Sequence, residues 1–251
     1  MIGRFVRKTV STISPTQEAL LLADAILPNS NAEIGMLRKE FKIPVSAKLY
    51  VIPNAADDRF YYARPETFAD KYGLCDYVLY VGRIEPRKNV LSLVRALRNE
   101  KDLTLVILGS DNPMETDYVK KVREEARRTE AKTLFIGPLS HESEMLASAY
   151  AAAKVFALPS WFETPGIAAL EAALAGANVV ITDRGGTKEY FKEYAAYVDP
   201  SSLDAIRKGV LNSYHADRNS KLKEHVLKNY SWEIVAKKTL KAYTDALSST
   251  P

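Results

Sequence analysis

The sequence is poor in the residues that most often staple or metallate a small protein. It has one cysteine and three histidines among 251 residues. Cys75 alone can form neither an intrachain disulfide nor a cysteine metal site, and its neighbours suggest no role for it. His141, His215 and His225 are too scattered for a sequence-local zinc motif. No apolar run reaches the roughly 18 residues that a membrane span requires. Arg4, Arg7 and Lys8 place positive charge early, but no unbroken apolar stretch follows, so no signal peptide is read. Charge excess is also small, at +4. The basic residues around 118–132 are diluted by Glu115, Asp117, Glu124, Glu125 and Glu130, which predicts a solvated helix face and no nucleic-acid surface. The expectation is a soluble, cytoplasmic protein whose only membrane association would be peripheral, at an anionic inner face.

What the chain does have is a regular alternation. Apolar residues make up 47% of it, ample for a packed core. Short β-rich runs at 78–81, 103–108, 133–136, 154–158 and 178–182 alternate with helical runs at 89–99, 117–129, 142–152, 166–175 and 188–194. The strand runs are continuously apolar, as expected where helices cover both faces of a parallel sheet. Repeated βα units predict an α/β fold, a Rossmann-like doubly wound parallel sheet. Before this core, 23–28 and 48–52 read as strands and 32–41 as a helix. After it, Ser231 is a candidate N-cap with Glu233 in the first turn. Trp232, Val235, Leu240, Tyr243 and Leu247 give the last helix an apolar stripe, and the final Ser-Ser-Thr-Pro is expected to fray.

Two segments carry the candidate chemistry. In VLYVGRIEPRKNV (78–90), Gly82 ends a strand, and Arg83 and Lys88 follow it at the strand end where parallel sheets bind ligands. They suit a ligand with phosphates; the bland alternative is that Arg83 pairs with Glu85. In FALPSWFETPGIAALEAALAG (156–176), Glu163 lies in the loop and Gly166 opens a helix whose first N–H groups can meet a phosphate. Glu171 falls on the inward arc of that helix with Ile167, Leu170 and Leu174, where a carboxylate needs a partner. Ribose hydroxyls or a buried ion pair would both serve. Weaker candidates are Gly109 with Ser110 and Asp111, Gly137 with Pro138 after Ile136, Gly185 with Gly186, and His141, read mainly as a helix cap.

Taken with VIPNAAD (51–57), VILGSD (106–111), LFIGPLS (134–140) and VVITDRGGTKEYF (179–191), these segments resemble the carboxyl-terminal, donor-binding half of GT-B glycosyltransferases of family 4. The resemblance runs over about 24–245 and rests on the order and spacing of the segments. It implies that Arg83 and Lys88, beside Gly82, hold the donor diphosphate, that Glu163 contacts the transferred sugar, and that Glu171 holds the ribose. It further implies that Gly109, Gly166 and Ile167 lend backbone groups, and that the loop at Ile136 and Gly137 meets the base. The implied reaction moves a sugar from a UDP-, GDP- or ADP-sugar to an acceptor with retention of configuration. It needs no cofactor and no catalytic metal.

The sequence departs from that family in two ways. Asn54-Ala55-Ala56-Asp57 stands where the family has a glycine after the asparagine. Only about fifty residues precede the donor region, where the family has a full acceptor domain. Residues 1–45 therefore read as a remnant of that domain, 46–230 as the donor domain, and 231–251 as a crossing helix and tail. A fragment, a split enzyme and a degenerate product all fit, with a separate amino-terminal half or self-association as the matching partner expectation. The competing functions are a non-catalytic nucleotide-sugar-binding or partner-regulating module and, with a poorer fit to the two glutamates, a nucleotide-sugar 2-epimerase.

Overall fold

The computed structural model describes residues 14–248. The basic residues Arg4, Arg7 and Lys8 and the last three residues of the tail lie outside that range. The chain begins with α1 (Pro15–Leu22) and α2 (Asn31–Phe41), then a 3-10 turn (Asp58–Tyr62) and α3 (Glu66–Tyr72). The central run is β1 (Tyr77–Val81), α4 (Val90–Ala96), β2 (Thr104–Leu108), α5 (Thr116–Arg127), β3 (Lys132–Ile136) and α6 (Glu144–Ala152). It continues with β4 (Ala153–Leu158), α7 (Ile167–Leu174), β5 (Asn178–Thr182), α8 (Thr187–Phe191) and β6 (Ala196–Val198). Helices α9 (Leu203–His215), α10 (Ser220–Tyr230) and α11 (Trp232–Leu247) complete the chain.

The strands form a six-stranded sheet in the order β3-β2-β1-β4-β5-β6, all pairs parallel. This is the doubly wound architecture expected from the apolar strand runs. Helices α4, α5 and α9 pack on one face, and α3, α6, α7 and α10 on the other. Strands β1, β2, β4 and β5 are buried almost throughout, because each has helices above and below it. Chain order reverses between β1 and β4, and that switch opens a crevice beyond their carboxyl ends.

The structure differs from the sequence reading at both ends. Segments 23–28 and 48–52 are not strands of the sheet. They meet in one parallel bridge, Ile26 to Leu49, with Ile26 N–H donating to Lys48 at 2.9 Å and Tyr50 N–H donating to Ile26 at 3.0 Å. Pro28 and Pro53, which lack N–H groups, limit its extension. Ile26, Leu37 and Ile43 form a small apolar cluster of their own beside the main core. The sequence pattern predicts none of α1, α3, β6, α9 and α10. Ser231 does occupy the N-cap position of α11 but makes no side-chain capping bond, and Glu233 instead pairs with Lys237 at 2.5 Å.

Glu189 on α8 fastens α2 to the sheet body. Its two carboxylate oxygens accept from the backbone N–H groups of Asn31, at 2.8 Å, and Ala32, at 2.6 Å, at the start of α2. Burial works against the charged form, but these donors, the Asn31 side chain and Lys192 outweigh it and hold the carboxyl below its ordinary range. A lowered folded-state pKa contributes stability that is present above the unfolded pKa and lost as pH falls through the folded one. Substituting Glu189→Ala should therefore release α2 while sparing the sheet, at a cost on the order of 1 kcal/mol, that of a lost helix cap. Hydrogen exchange should show faster exchange in 26–41 with α10 and β4 unchanged, and acidification of the unsubstituted protein should loosen the same segment. Unchanged protection of α2 would contradict the account.

Candidate active-site cleft

The loops leaving β1 and β4 face each other across the switch point, and hydrogen bonds to backbone carbonyls tie the β1 loop to the ends of β4 and β6. Trp161 N–H donates to the Arg87 carbonyl at 3.0 Å. The buried Asn89 amide donates to Pro159 at 3.0 Å and to Pro200 at 2.8 Å, linking the ends of β4 and β6. Asn89 adopts a left-handed φ of 57°, which Asn tolerates better than most residues. Lys88, next to it, is thereby aimed at the β4 loop.

Beyond these bonds lies a cleft of about 550 Å³. Its lining includes Gly82, Arg87, Lys88, His141, Tyr150, Glu163, Gly166, Ile167 and Glu171. Glu163 is 7% exposed and is held by Lys88 Nζ at 2.6 Å, with Arg87 at 3.9 Å. Its backbone is clamped as well: the Glu163 carbonyl accepts from Gly186 N–H at 2.9 Å, and Gly185 passes so close that a Cβ there would sit 2.0 Å from that carbonyl oxygen. With φ at +99°, Gly185 is a position that only glycine fills without strain.

Gly166 is the residue before α7, with φ at 79°, and carries no side-chain cap. The first N–H groups of α7 have no intrahelical acceptors and are available to an anion. Glu171 lies one turn further in and is buried. Its Oε2 accepts from the Tyr150 hydroxyl at 2.8 Å, and its Oε1 from His141 Nε2 at 2.8 Å. Burial, with the Glu171 charge adding to it, pushes the Tyr150 hydroxyl well above its ordinary range, so it stays a donor. Hydrogen bonding to Glu171 raises the His141 pKa; partial burial opposes the shift and Glu142 assists it.

The cleft therefore assembles Gly82, Lys88, Glu163, Gly166, Ile167 and Glu171 from the sequence-derived set. Four others stand outside its lining. The Arg83 side chain is 63% exposed and pairs with Glu85 at 3.5 Å. Gly109 packs against the Gly82 carbonyl. Ile136 and Gly137 sit at the end of the edge strand β3, and the same loop reaches the cleft two and four residues later, through Leu139 and His141. The helix cap assigned to His141 is made by Ser143, whose Oγ accepts from Leu146 N–H at 3.1 Å. Arg87, Tyr150 and His141 as a partner of Glu171 are additions from the structure. Arg87 adjoins Lys88 in the same basic pair and had a local signal, whereas Tyr150 meets Glu171 only through the packing of α6 on α7. Among the described residues there is no cluster of His, Cys, Asp and Glu able to hold a metal ion, and no helix long and apolar enough to cross a membrane.

Lys88→Met should destabilise the fold by about 1–3 kcal/mol, because it leaves a buried carboxylate without its main donor. Adding Glu163→Gln should recover part of that loss, since the unpaired charge then disappears. Denaturant unfolding of the two single variants and the double variant measures the coupling; purely additive losses would remove Lys88 as the partner that Glu163 requires.

The chain has relatives among known proteins. Residues 70–230 match the family model described as "Glycosyl transferases group 1". The O-antigen chain mannosyltransferase B of Escherichia coli is 31% identical over 175 residues, covering 66% of this chain and 45% of that protein. Among solved structures, sucrose-phosphate synthase from Thermosynechococcus elongatus superposes with a TM-score of 0.79 at 23% identity, over 94% of this chain and 61% of the other. Anabaena HepE, solved in complex with UDP-glucose, superposes with a TM-score of 0.76 at 21% identity, over 92% and 65%. The chain thus spans less than two-thirds of each, and its fold is that of the carboxyl-terminal half of GT-B enzymes. With more than half of its length under one family model, the chain belongs to the group 1 glycosyl transferases.

Proposed function

We propose that this chain is the donor-binding half of a retaining glycosyltransferase that takes a nucleoside-diphosphate sugar. The observation that carries the reading is the meeting of Lys88, Glu163 and the open start of α7 in one cleft, with Glu171 a turn deeper. A diphosphate placed there would face Lys88, Arg87 and the α7 N–H groups, and Arg83 would join by leaving Glu85. As the bond between the anomeric carbon and the phosphate oxygen breaks, negative charge grows on the leaving diphosphate. Fixed donors at that position stabilise the charge without a metal. Glu163 would hold hydroxyls of the transferred sugar, Glu171 those of the ribose, and the loop from Ile136 and Gly137 to Leu139 would meet the base. The acceptor hydroxyl oxygen forms the new bond to the anomeric carbon, and its proton passes to the leaving phosphate oxygen.

The expected outcome is saturable, micromolar-to-millimolar binding of UDP, GDP or ADP that is unaffected by a chelator, seen by calorimetry. Lys88→Ala should weaken it by roughly tenfold or more, as loss of a charge-assisted contact does. Absence of binding for all three nucleotides would refute the donor reading and favour a partner-regulating module.

Donor binding is half of a transfer, because both reactants must be held in position. We assign 1–45 to a remnant of an amino-terminal acceptor domain and its crossover, 46–230 to the donor domain and 231–251 to a helix that crosses back to the first, with its tail. Only Val235 and Ala242 of α11 are buried, while Trp232, Leu240, Tyr243 and Leu247 are exposed. Within 23–28, Ile26 and Pro28 are buried and Ala23 is exposed; Leu21 and Leu22 on α1, Met36 on α2 and Val45 add exposed apolar surface at this end. An amino-terminal domain, on the same polypeptide or a separate one, would cover these residues. Mixing with such a domain built from a longer relative should give a complex and transfer activity, and Leu240→Glu with Leu247→Glu should abolish both. A monodisperse chain that ignores the domain and transfers sugar alone would contradict the assignment.

A further inference from the structure

The cleft has a polar contact that the donor reading does not use. His141 lines the cleft with its side chain 53% exposed, whereas the Glu171 side chain it holds is 6% exposed. Glu171 Oε2 faces inward to Tyr150, a fully buried donor, so Oε1 is the oxygen nearer the cleft, and His141 Nε2 is bonded to it at 2.8 Å. A ribose diol that takes Glu171 as its acceptor needs the same side of the same carboxylate.

We propose that His141 is a displaceable place-holder for the ribose: it bonds Glu171 before nucleotide binds and turns away as the ribose hydroxyls take over its bond. The proposal rests on the assignment of Glu171 to ribose. Its physical basis is that an inward carboxylate is costly without a donor, so the group that leaves must be replaced by another donor at the same moment. His141 is built to move without its loop. Its carbonyl accepts from Arg59 Nη2, pinning the backbone, and Phe60 meets the ring edge-on at a centroid distance of 5.7 Å. Its Nδ1 already lies 3.2 Å from Glu142, an exposed carboxylate that offers a second resting partner.

The exchange carries a proton. The charged groups facing His141 are Glu171 from α7, Glu142 from its own loop and Arg59 from the 3-10 turn, with Tyr150 on the far oxygen of Glu171. Bonding to Glu171 is the largest contribution to the raised imidazole pKa. A ligand that takes Glu171 away lowers that pKa and releases a proton. Nucleotide affinity then rises as pH increases from the ordinary histidine value through the raised one.

Calorimetry with whichever of UDP, GDP and ADP binds, and with pyrophosphate, separates the outcomes. His141→Ala should tighten the nucleotide by roughly tenfold below the raised pKa, leave pyrophosphate unchanged, and flatten the nucleotide's pH profile relative to that of pyrophosphate. His141→Gln, which keeps a neutral donor, should lose the pH dependence and keep the weaker affinity. NMR titration of the imidazole gives a readout independent of affinity: the His141 pKa should fall when nucleotide is added. Weaker or unaltered nucleotide binding by His141→Ala, or an imidazole pKa that nucleotide does not lower, overturns the place-holder. Glu171→Ala tests the underlying assignment separately. A loss confined to the nucleotide supports it, an equal loss for pyrophosphate removes the ribose assignment and the place-holder with it, and no saturable nucleotide binding does the same.

Discussion

Glu163 is a carboxylate with little access to water at the end of a parallel strand, and such a group persists only if it is paired and fixed. Much of the cleft follows from meeting that condition. Lys88 supplies the charge, from a loop held in register by Asn89 and by the Trp161 to Arg87 bond. The turn at Gly185 and Gly186 clamps the Glu163 backbone from β5. The same clamp starts α8, which carries Glu189 to α2. A contiguous set of bonds therefore runs from the first helices of the described chain, through α8, to the Lys88–Glu163 pair.

The strand order explains why these groups meet. Lys88 and Glu163 are far apart in sequence, but β1 and β4 are neighbours at the point where the winding reverses. Loops from those strands face a common crevice, and α7 points its start into it. Glu171 belongs to a second part of the cleft, governed by burial. Its two oxygens are bonded to donors from α6 and from the loop after β3, so this end of the cleft is defined by helix packing as much as by the sheet. A ligand with a diphosphate at one end and a diol at the other matches this division.

Much of this was legible in the residues. The continuous apolar runs at 78–81 and 178–182 identify strands covered on both faces, and the paired basic and acidic segments identify the strand ends that matter. Other parts depend on distant neighbours. Helix α9 carries Gly209, a poor helix former, because a Cβ there would lie 2.6 Å from Val198 on β6, so the residue that weakens the local helix signal is the one its packing requires. β6 is three residues long and gives too little pattern to read. Runs 23–28 and 48–52 look like strands because they are extended and apolar, yet their neighbouring prolines leave them one bridge. The exposed position of Arg83 beside Glu85, and the bonding of His141 and Tyr150 to Glu171, are set by side-chain geometry that spacing does not encode.

A crystal structure of the chain with a bound nucleoside diphosphate tests the central claim most directly. The account predicts the phosphates within hydrogen-bonding distance of Lys88 Nζ and the first N–H groups of α7, with the ribose hydroxyls on Glu171. A nucleotide seated elsewhere on the molecule, or lying in the cleft with its phosphates away from Lys88 and α7, would contradict it.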